Sequence, residues 1–154
     1  MSVEIRHVTT RRDLNTFIRL PWAIYRNRPL WVPPLKFDVR HRLDRSRNPF
    51  FEHAEAEYFL AFRDGDPVGR ISAHYDRNFN EFQDNEWGMF GFFEAEDDQE
   101  VATALLETAE AWLRERGHPI LGVTIDPPGQ LDEPLQVPAG PDRLDLYRCH
   151  PAGP

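Results

Sequence analysis

The sequence has little cysteine and no long apolar run, and both shortages exclude classes of protein. Its single cysteine, Cys149, excludes an internal disulfide and any metal site built from several thiolates. No stretch approaches the ~18 uncharged apolar residues of a membrane-spanning helix, and the N-terminus lacks the basic-then-apolar pattern of a secretion signal. Internal repeats are also missing. We therefore expect a soluble, cytoplasmic protein without a membrane partner.

The charge of the chain is divided unevenly between its two parts. Residues 1–50 hold eleven Lys and Arg against four Asp and Glu, a net charge of +7, whereas residues 51–154 hold seven against twenty-two, a net charge of −15. A basic N-terminal part can bind phosphate or nucleic acid, or it can fold against the acidic remainder and offset its charge. Because the arginines form no continuous run, the sequence favours the second interpretation and predicts no nucleic-acid partner.

The N-terminal segment has the pattern of a strand followed by a helix. Residues 3–8 alternate as a short strand. Thr10 and Asp13 have the spacing of a capping box, and apolar residues then recur at helical intervals. Pro21 removes a backbone donor inside that pattern, which predicts that the helix kinks or restarts near Leu20.

Prolines interrupt the chain after this helix. Residues 28–35, "RPLWVPPL", predict an extended path, and we expect Trp31 and Leu35 to pack against the core. The arginine-rich residues 36–47 predict a short second helix.

The middle of the chain shows the clearest strand signals. Residues 55–63 and 68–75 alternate on either side of "RDGDP" and predict a β-hairpin. Residues 76–86 predict a polar connection with an ordered turn. "WGMFGFF", residues 87–93, is apolar on both faces and predicts a central strand.

A long amphipathic helix follows this strand and begins in an acidic stretch, "EAEDDQEVA", residues 94–102. Asp97 and Glu100 have capping-box spacing, so side chains can satisfy the first N–H groups of the helix. Gly117 stands where a left-handed helix end is expected. Residues 120–125, "ILGVTI", then predict a buried strand parallel to its neighbour.

The last part of the chain changes character. Residues 126–154 hold seven prolines and no sustained apolar period, which predicts an irregular tail. We therefore expect one folded domain over residues 1–125 and a proline-rich tail over residues 126–154.

Histidines and glutamates near the hairpin raise the question of a metal site. His53, Glu55 and Glu57 alternate at the start of a strand, but a fourth ligand and a second histidine are missing, so the sequence predicts no metal. His74 lies inside a strand, where we expect a structural histidine with satisfied hydrogen bonds.

Three segments carry a resemblance to a known family. "FIRLPWAIYRNRPLWVPPL" (residues 17–35), "NPFFEHAEAEYFLAFRDGDPVGRISAHYDRNFNEF" (residues 48–82) and "GFFEAEDDQEVATALLETAEAWLRERG" (residues 91–117) resemble the N-terminal part of a group of large bacterial GNAT-like N-acetyltransferases. The resemblance covers roughly residues 4–117.

The resemblance implies a fold, an activity and a set of site residues. The fold is the α/β (α+β) acyl-CoA N-acyltransferase fold, with a mixed, mostly antiparallel central sheet flanked by helices, and its C-terminal strands are expected to be missing here. The activity is transfer of an acyl group from acyl-CoA to an amine, with acetyl-CoA as cofactor. Glu94 then stands where some members place a general base, and Phe92, Phe93, Asp97 and Asp98 are the expected cofactor contacts.

The acidic stretch departs from the family in a way that leaves a second hypothesis open. The family holds the pyrophosphate of the cofactor in a loop with the pattern Gln/Arg-x-x-Gly-x-Gly/Ala, whereas residues 94–102 contain no glycine, no arginine and five acids. The alternative is a non-catalytic GNAT-like module with a structural or partner-binding role. Its open sheet edge would pair with a protein partner or with a second copy.

Overall fold

A six-stranded sheet forms the centre of the computed structural model, which describes residues 2–123 and 135–136. The strands are β1 (Glu4–His7), β2 (Ala54–Arg63), β3 (Asp66–Asp76), β4 (Gly88–Ala95), β5 (Ile120–Val123) and β6 (Leu135–Gln136). The helices are α1 (Arg11–Ile24), α2 (Lys36–Leu43), α3 (Arg77–Gln83) and α4 (Gln99–Glu115). Strand order in the sheet follows chain order. The predicted α/β fold with a mixed, mostly antiparallel sheet is confirmed.

Strand directions match the sequence analysis. Strands β1 to β4 pair antiparallel, β5 runs parallel to β4, and β6 pairs antiparallel with β5. The hairpin turn between β2 and β3 places Asp64 at φ 54° and Gly65 at φ 84°. Two successive positive φ angles are what a two-residue turn needs to follow the twist of its strands. The "DG" in this segment therefore fixes the hairpin locally.

Helix α1 begins as predicted but does not break at its proline. The Asp13 N–H donates to Thr10 Oγ1 at 3.0 Å, and the Thr10 N–H donates to Asp13 Oδ2 at 3.0 Å, which completes the capping box. The helix continues through Pro21 to Ile24 instead of restarting near Leu20. Pro21 lies buried, so tertiary packing outweighs the missing backbone hydrogen bond.

Each face of the sheet has its own apolar core. On one face, α4 packs its buried stripe, including Leu105 and Leu113, against β2, β3 and β4. On the other face, α1 and α2 pack Phe17, Ile18 and Leu43 against β2. Gly117 ends α4 at φ 77°, as its position predicted.

Strand β4 contains a β-bulge that the sequence analysis did not predict. Ser72 of β3 pairs with Gly91 and Arg70 pairs with Glu94, so Ile71 lies opposite both Phe92 and Phe93. Phe92 takes φ 50°, which is uncommon for an aromatic residue. The Phe92 side chain packs in the α1 core and Phe93 packs against the α4 core.

Two further local predictions are wrong. The connection after β3 is helix α3 rather than a turn, because Asp76 accepts hydrogen bonds from the N–H groups of Asn78 at 2.9 Å and Phe79 at 3.2 Å and so caps a helix. Leu35, expected in the core, is 75% exposed, because the chain turns into α2 at this residue.

The proposed tail over residues 126–154 lies almost entirely outside the described residues. Cys149 also lies outside them. Leu135–Gln136 are described, and they pair with β5. Within the described part of the chain, no helix combines the length and the apolar character that crossing a membrane requires.

Candidate functional site

Glu94 lies at the end of β4, just after the bulge, where it faces α1. The Tyr25 hydroxyl, one residue beyond α1, donates a hydrogen bond to Glu94 Oε2. Glu94 is half-buried and pairs across the sheet with Arg70 of β3. The structure therefore brings a carboxylate, a phenol and a guanidinium together from three elements.

Arg70 is buried beneath this carboxylate and holds two backbone segments. Its side chain is 6% exposed, and it donates from Nη1 to the Phe17 carbonyl at 2.7 Å and from Nε to the Phe92 carbonyl at 3.2 Å. The guanidinium also lies 5.0 Å from the Phe17 ring centre and 5.4 Å from that of Phe92. Arg70 thus ties α1 to the bulge.

Burial and the neighbouring Glu94 and Tyr25 shift the pKa of Arg70 in opposite directions. Burial lowers the pKa of Arg70 to about 10, while the neighbouring Glu94 and Tyr25 favour its charged form. Arg70 remains positively charged at neutral pH. A buried cation therefore lies behind the Glu94 carboxylate.

The backbone around Phe92 and Phe93 offers a strand edge. Among the described residues, β5 pairs with β4 only over Gly88–Phe90, so the second half of β4 has no strand beside it on that side. An extended chain carrying amides can add to such an edge through backbone hydrogen bonds.

The start of α4 is capped one residue later than predicted. The N-cap is Asp98, not Asp97, and Asp98 Oδ1 accepts from the N–H groups of Glu100 at 3.0 Å and Val101 at 3.3 Å. Asp97 is exposed. The proposed Asp97–Glu100 capping box is therefore wrong, although the helix start is capped by its own side chain.

Arg63 reinforces this cap from β2. Its Nη2 lies 2.8 Å from Asp98 Oδ2 and 2.9 Å from Glu100 Oε2. Burial on its own would raise the pKa of Asp98, but the Val101 N–H and the Arg63 charge outweigh it, so that the pKa is lowered. The N–H groups and the arginine that could hold a phosphate already bind carboxylates. The start of α4 does not fit a pyrophosphate.

An aromatic cluster borders the site on the α1 side. The Trp31 ring packs against Tyr25 with ring centres 5.1 Å apart and against Trp22 at 5.4 Å. Tyr25 is one of the apolar residues that recur at helical intervals after Thr10, and the sequence analysis gave Arg70 no role. The only available signals were an arginine inside an apolar strand and a proline inside a helix.

The three side chains that the sequence analysis considered as metal ligands do not converge. His53 Nδ1 lies 2.8 Å from Asp76 Oδ1, while Glu55 accepts from the Tyr75 hydroxyl and Glu57 lies 3.5 Å from Arg45. Within the described ranges, no group of three or more His, Cys, Asp or Glu is placed to hold a metal ion.

His74 is not the satisfied histidine that we expected. It is 1% exposed, and neither ring nitrogen has a hydrogen-bond partner among the residues that the structure describes. Burial lowers the pKa of His74 to about 4, against the opposing charge of Asp76. The imidazole is therefore neutral at neutral pH and packs as an apolar ring, 6.0 Å from the ring centre of Phe50.

Two named relatives match this chain in sequence. A protein of Caulobacter vibrioides (strain NA1000 / CB15N) called bacterial ceramide synthase is 42% identical over 111 residues, which are 71% of this chain and 29% of that protein. Protein YghO of Escherichia coli (strain K12) is 35% identical over 113 residues, 73% of this chain and 29% of its own length. The chain thus spans less than a third of each relative.

Two solved structures and a family model relate this chain to acetyltransferases. Two aminoglycoside acetyltransferases from uncultured soil metagenomic samples share the fold. One, in complex with sisomicin, has a TM-score of 0.55 at 13% identity over 80% of this chain and 78% of its own. The other has a TM-score of 0.51 at 15% identity, over 82% and 81%. The model of the acetyltransferase (GNAT) family matches residues 17–131. The chain therefore belongs to the GNAT acetyltransferase family.

Proposed function

We propose that this chain takes part in transfer of an acyl group from an acyl-CoA to an amine, with Glu94 as the general base. The observation that carries the proposal is the position of Glu94. It follows the bulge of β4, borders the part of that strand that no described strand pairs with on one side, and accepts a hydrogen bond from Tyr25. The GNAT family normally uses acetyl-CoA, which supplies the acyl group as a thioester.

The chemistry assigned to this chain is deprotonation and positioning. A half-buried carboxylate at Glu94 can accept a proton from an amine bound beside it, and the Tyr25 hydrogen bond fixes its orientation. The Trp31 ring packs against Tyr25, and the Trp22 ring packs against Trp31, so aromatic side chains lie beside the hydrogen-bonded pair of Tyr25 and Glu94. We derive no step at the start of α4, because that helix end does not fit the pyrophosphate.

The acceptor that we propose is an amine with a long apolar chain. The Caulobacter relative is named as a ceramide synthase, and a ceramide is a long-chain amine acylated on its nitrogen. The aromatic cluster of Trp22, Tyr25 and Trp31 suits an apolar acceptor better than a polycationic sugar.

A second function is favoured by the start of α4. Because Asp98, Glu100 and Arg63 bind one another there, this chain can instead be a non-catalytic GNAT-like module that supports another chain through its sheet edge. The proposed partner is then a protein or a second copy, rather than an acyl-CoA.

One experiment separates the two functions. Acetyl-CoA and a long-chain acyl-CoA are titrated into the protein by calorimetry, and release of the CoA thiol is then measured with a long-chain amine and with an aminoglycoside. Catalysis predicts amine-dependent release that falls by about 100-fold or more in Glu94→Gln, with acyl-CoA binding retained. Glu96→Gln, an exposed acid two residues away, is the matched control. An absence of binding by the parent protein would support the non-catalytic module.

A further inference from the structure

Residues 28–37, which we call the apolar loop, expose an unusual amount of hydrophobic surface. Leu30 is 94% exposed, Val32 83%, Leu35 75% and Phe37 82%. In the described part of the chain, Phe82 is the only other large hydrophobic residue that is so exposed. Scattered single exposures are common on protein surfaces, whereas four within eight residues mark an interaction surface.

The apolar loop is held in place from beneath. Trp31 packs against Trp22 and Tyr25 of the α1 region, and its backbone N–H donates to the Arg28 carbonyl at 3.1 Å. Prolines at positions 29, 33 and 34 restrict the backbone further. With Trp31 turned inward, its neighbours Leu30 and Val32 project into solvent. The exposed side chains are therefore presented by a braced segment, which lowers the entropy cost of docking.

Basic side chains lie within this loop and just before it. Arg26 and Arg28 are exposed, and neither makes an ion pair with any residue that the structure describes. Lys36 lies over the Trp22 ring at 4.8 Å. Two acids lie nearby, and both are paired: Asp38 with Arg42 at 2.9 Å, and Glu94 with the Tyr25 hydroxyl. Apolar side chains flanked by unpaired cations complement an anionic lipid surface.

The charge distribution of the whole chain gives such a contact a direction. Residues 51–154 carry a net charge of −15, so an anionic surface repels most of the molecule, whereas residues 1–50 carry +7 and are attracted. The protein can therefore approach an anionic membrane with the α1–α2 end leading.

We propose that the apolar loop is a docking surface for an anionic lipid membrane. Leu30, Val32, Leu35 and Phe37 enter the interface, and Arg26, Arg28 and Lys36 contact lipid phosphates. The sequence analysis expected no membrane partner because it considered spanning segments, and docking needs none. This inference stands apart from the proposed acyl transfer, since it concerns binding to lipid alone.

Vesicle flotation tests the proposal on the full chain. Vesicles of phosphatidylcholine, with and without 40% phosphatidylglycerol, are mixed with the protein at about 0.1 M and 0.5 M salt. We expect binding to the anionic vesicles at low salt, weakened at high salt. Leu30→Ser/Phe37→Ser should lower the partition coefficient about tenfold or more. Phe82→Ser, an aromatic residue of α3 that is 86% exposed, is the matched apolar control and should bind as the parent does.

A charge-removing pair of variants completes the test. Arg26→Gln/Arg28→Gln should weaken binding to the anionic vesicles, whereas Arg114→Gln on α4, whose side chain is 72% exposed, should not. No binding to anionic vesicles, or equal binding by Leu30→Ser/Phe37→Ser and the parent, would overturn the proposal. A concentration-dependent dimer that Leu30→Ser/Phe37→Ser abolishes would also overturn it, because the surface would then be covered by a second copy.

Discussion

Arg70 donates a hydrogen bond to the carbonyl of Phe17, 53 residues earlier in the chain, at 2.7 Å. In a regular helix, this carbonyl accepts from the N–H four residues later, but residue 21 is a proline and has none. The proline thus leaves an acceptor free, and a buried arginine from the sheet occupies it. This pairing explains both the uninterrupted α1 and the buried charge under Glu94.

The first prediction follows from this pairing. Arg70→Met leaves the Phe17 and Phe92 carbonyls without their donor, so we expect the free energy of unfolding to fall by about 2–4 kcal/mol in urea denaturation. Adding Pro21→Ala to Arg70→Met supplies an N–H to the Phe17 carbonyl and should restore about 1 kcal/mol or more. If the second substitution restored no stability, the freed carbonyl would not be the reason for the Arg70 contact.

The second prediction concerns the Tyr25–Glu94 hydrogen bond. A double-mutant cycle with Tyr25→Phe, Glu94→Gln and the combined variant should give a coupling energy of about 1–2 kcal/mol, because a hydroxyl donates to a carboxylate in a half-buried site. Phenylalanine keeps the ring against Trp31, so the cycle isolates the hydroxyl. A coupling energy near zero would mean that the two side chains act independently.

The third prediction compares two adjacent aspartates at the start of α4. Asp98→Ala removes the N-cap and the Arg63 ion pair, and we expect the free energy of unfolding to fall by about 1–2 kcal/mol. Asp97→Ala removes an exposed side chain and should change it by less than about 0.5 kcal/mol. Thermal unfolding of the two variants side by side is the measurement, and equal losses would contradict the assignment of the cap.

The fourth prediction is a loss of stability in mild acid caused by His74. In the unfolded chain its pKa is about 6.5, whereas burial lowers the pKa of His74 to about 4 in the folded protein. The unfolded state therefore binds more protons between these values. Stability is full above pH 6.5 and falls by about 3 kcal/mol as the pH drops to 4.

A variant at the same position serves as the control. His74→Leu removes the titrating group and fills a similar volume. Between pH 6.5 and 4, the free energy of unfolding of this variant should therefore fall by about 3 kcal/mol less than that of the parent protein. Since no described residue bonds the ring nitrogens, His74→Leu should also keep or raise the stability at pH 7. The contrary result is an unchanged slope in urea denaturation across this pH range.

Local sequence signals predicted the elements of this fold well. The hairpin follows from alternation around Asp64 and Gly65, and α1 follows from the spacing of Thr10 and Asp13. The features that the sequence analysis did not predict depend on interactions between residues far apart in sequence. Asp97 and Asp98 are equal candidates for a cap by composition, and the helix starts after Asp98, the one that Arg63 contacts.

The candidate site was only partly predictable. Glu94, Phe92 and Phe93 were singled out by resemblance, whereas Tyr25 and Arg70 approach Glu94 across 69 and 24 residues of sequence and carry no local signal of doing so. The bulge was invisible for a similar reason, because an aromatic residue gives no indication that its backbone takes a positive φ.

The bulge also determines which side of the sheet carries charge. Phe90 and Glu94 are four positions apart, and strict alternation would place both against α4, where a carboxylate would meet the apolar side chains of that core. The extra residue reverses the alternation, so that β4 contributes Phe90 to one layer and Glu94 to the other. Without that reversal, β4 could not place Phe90 in the α4 core and Glu94 on the opposite face of the sheet.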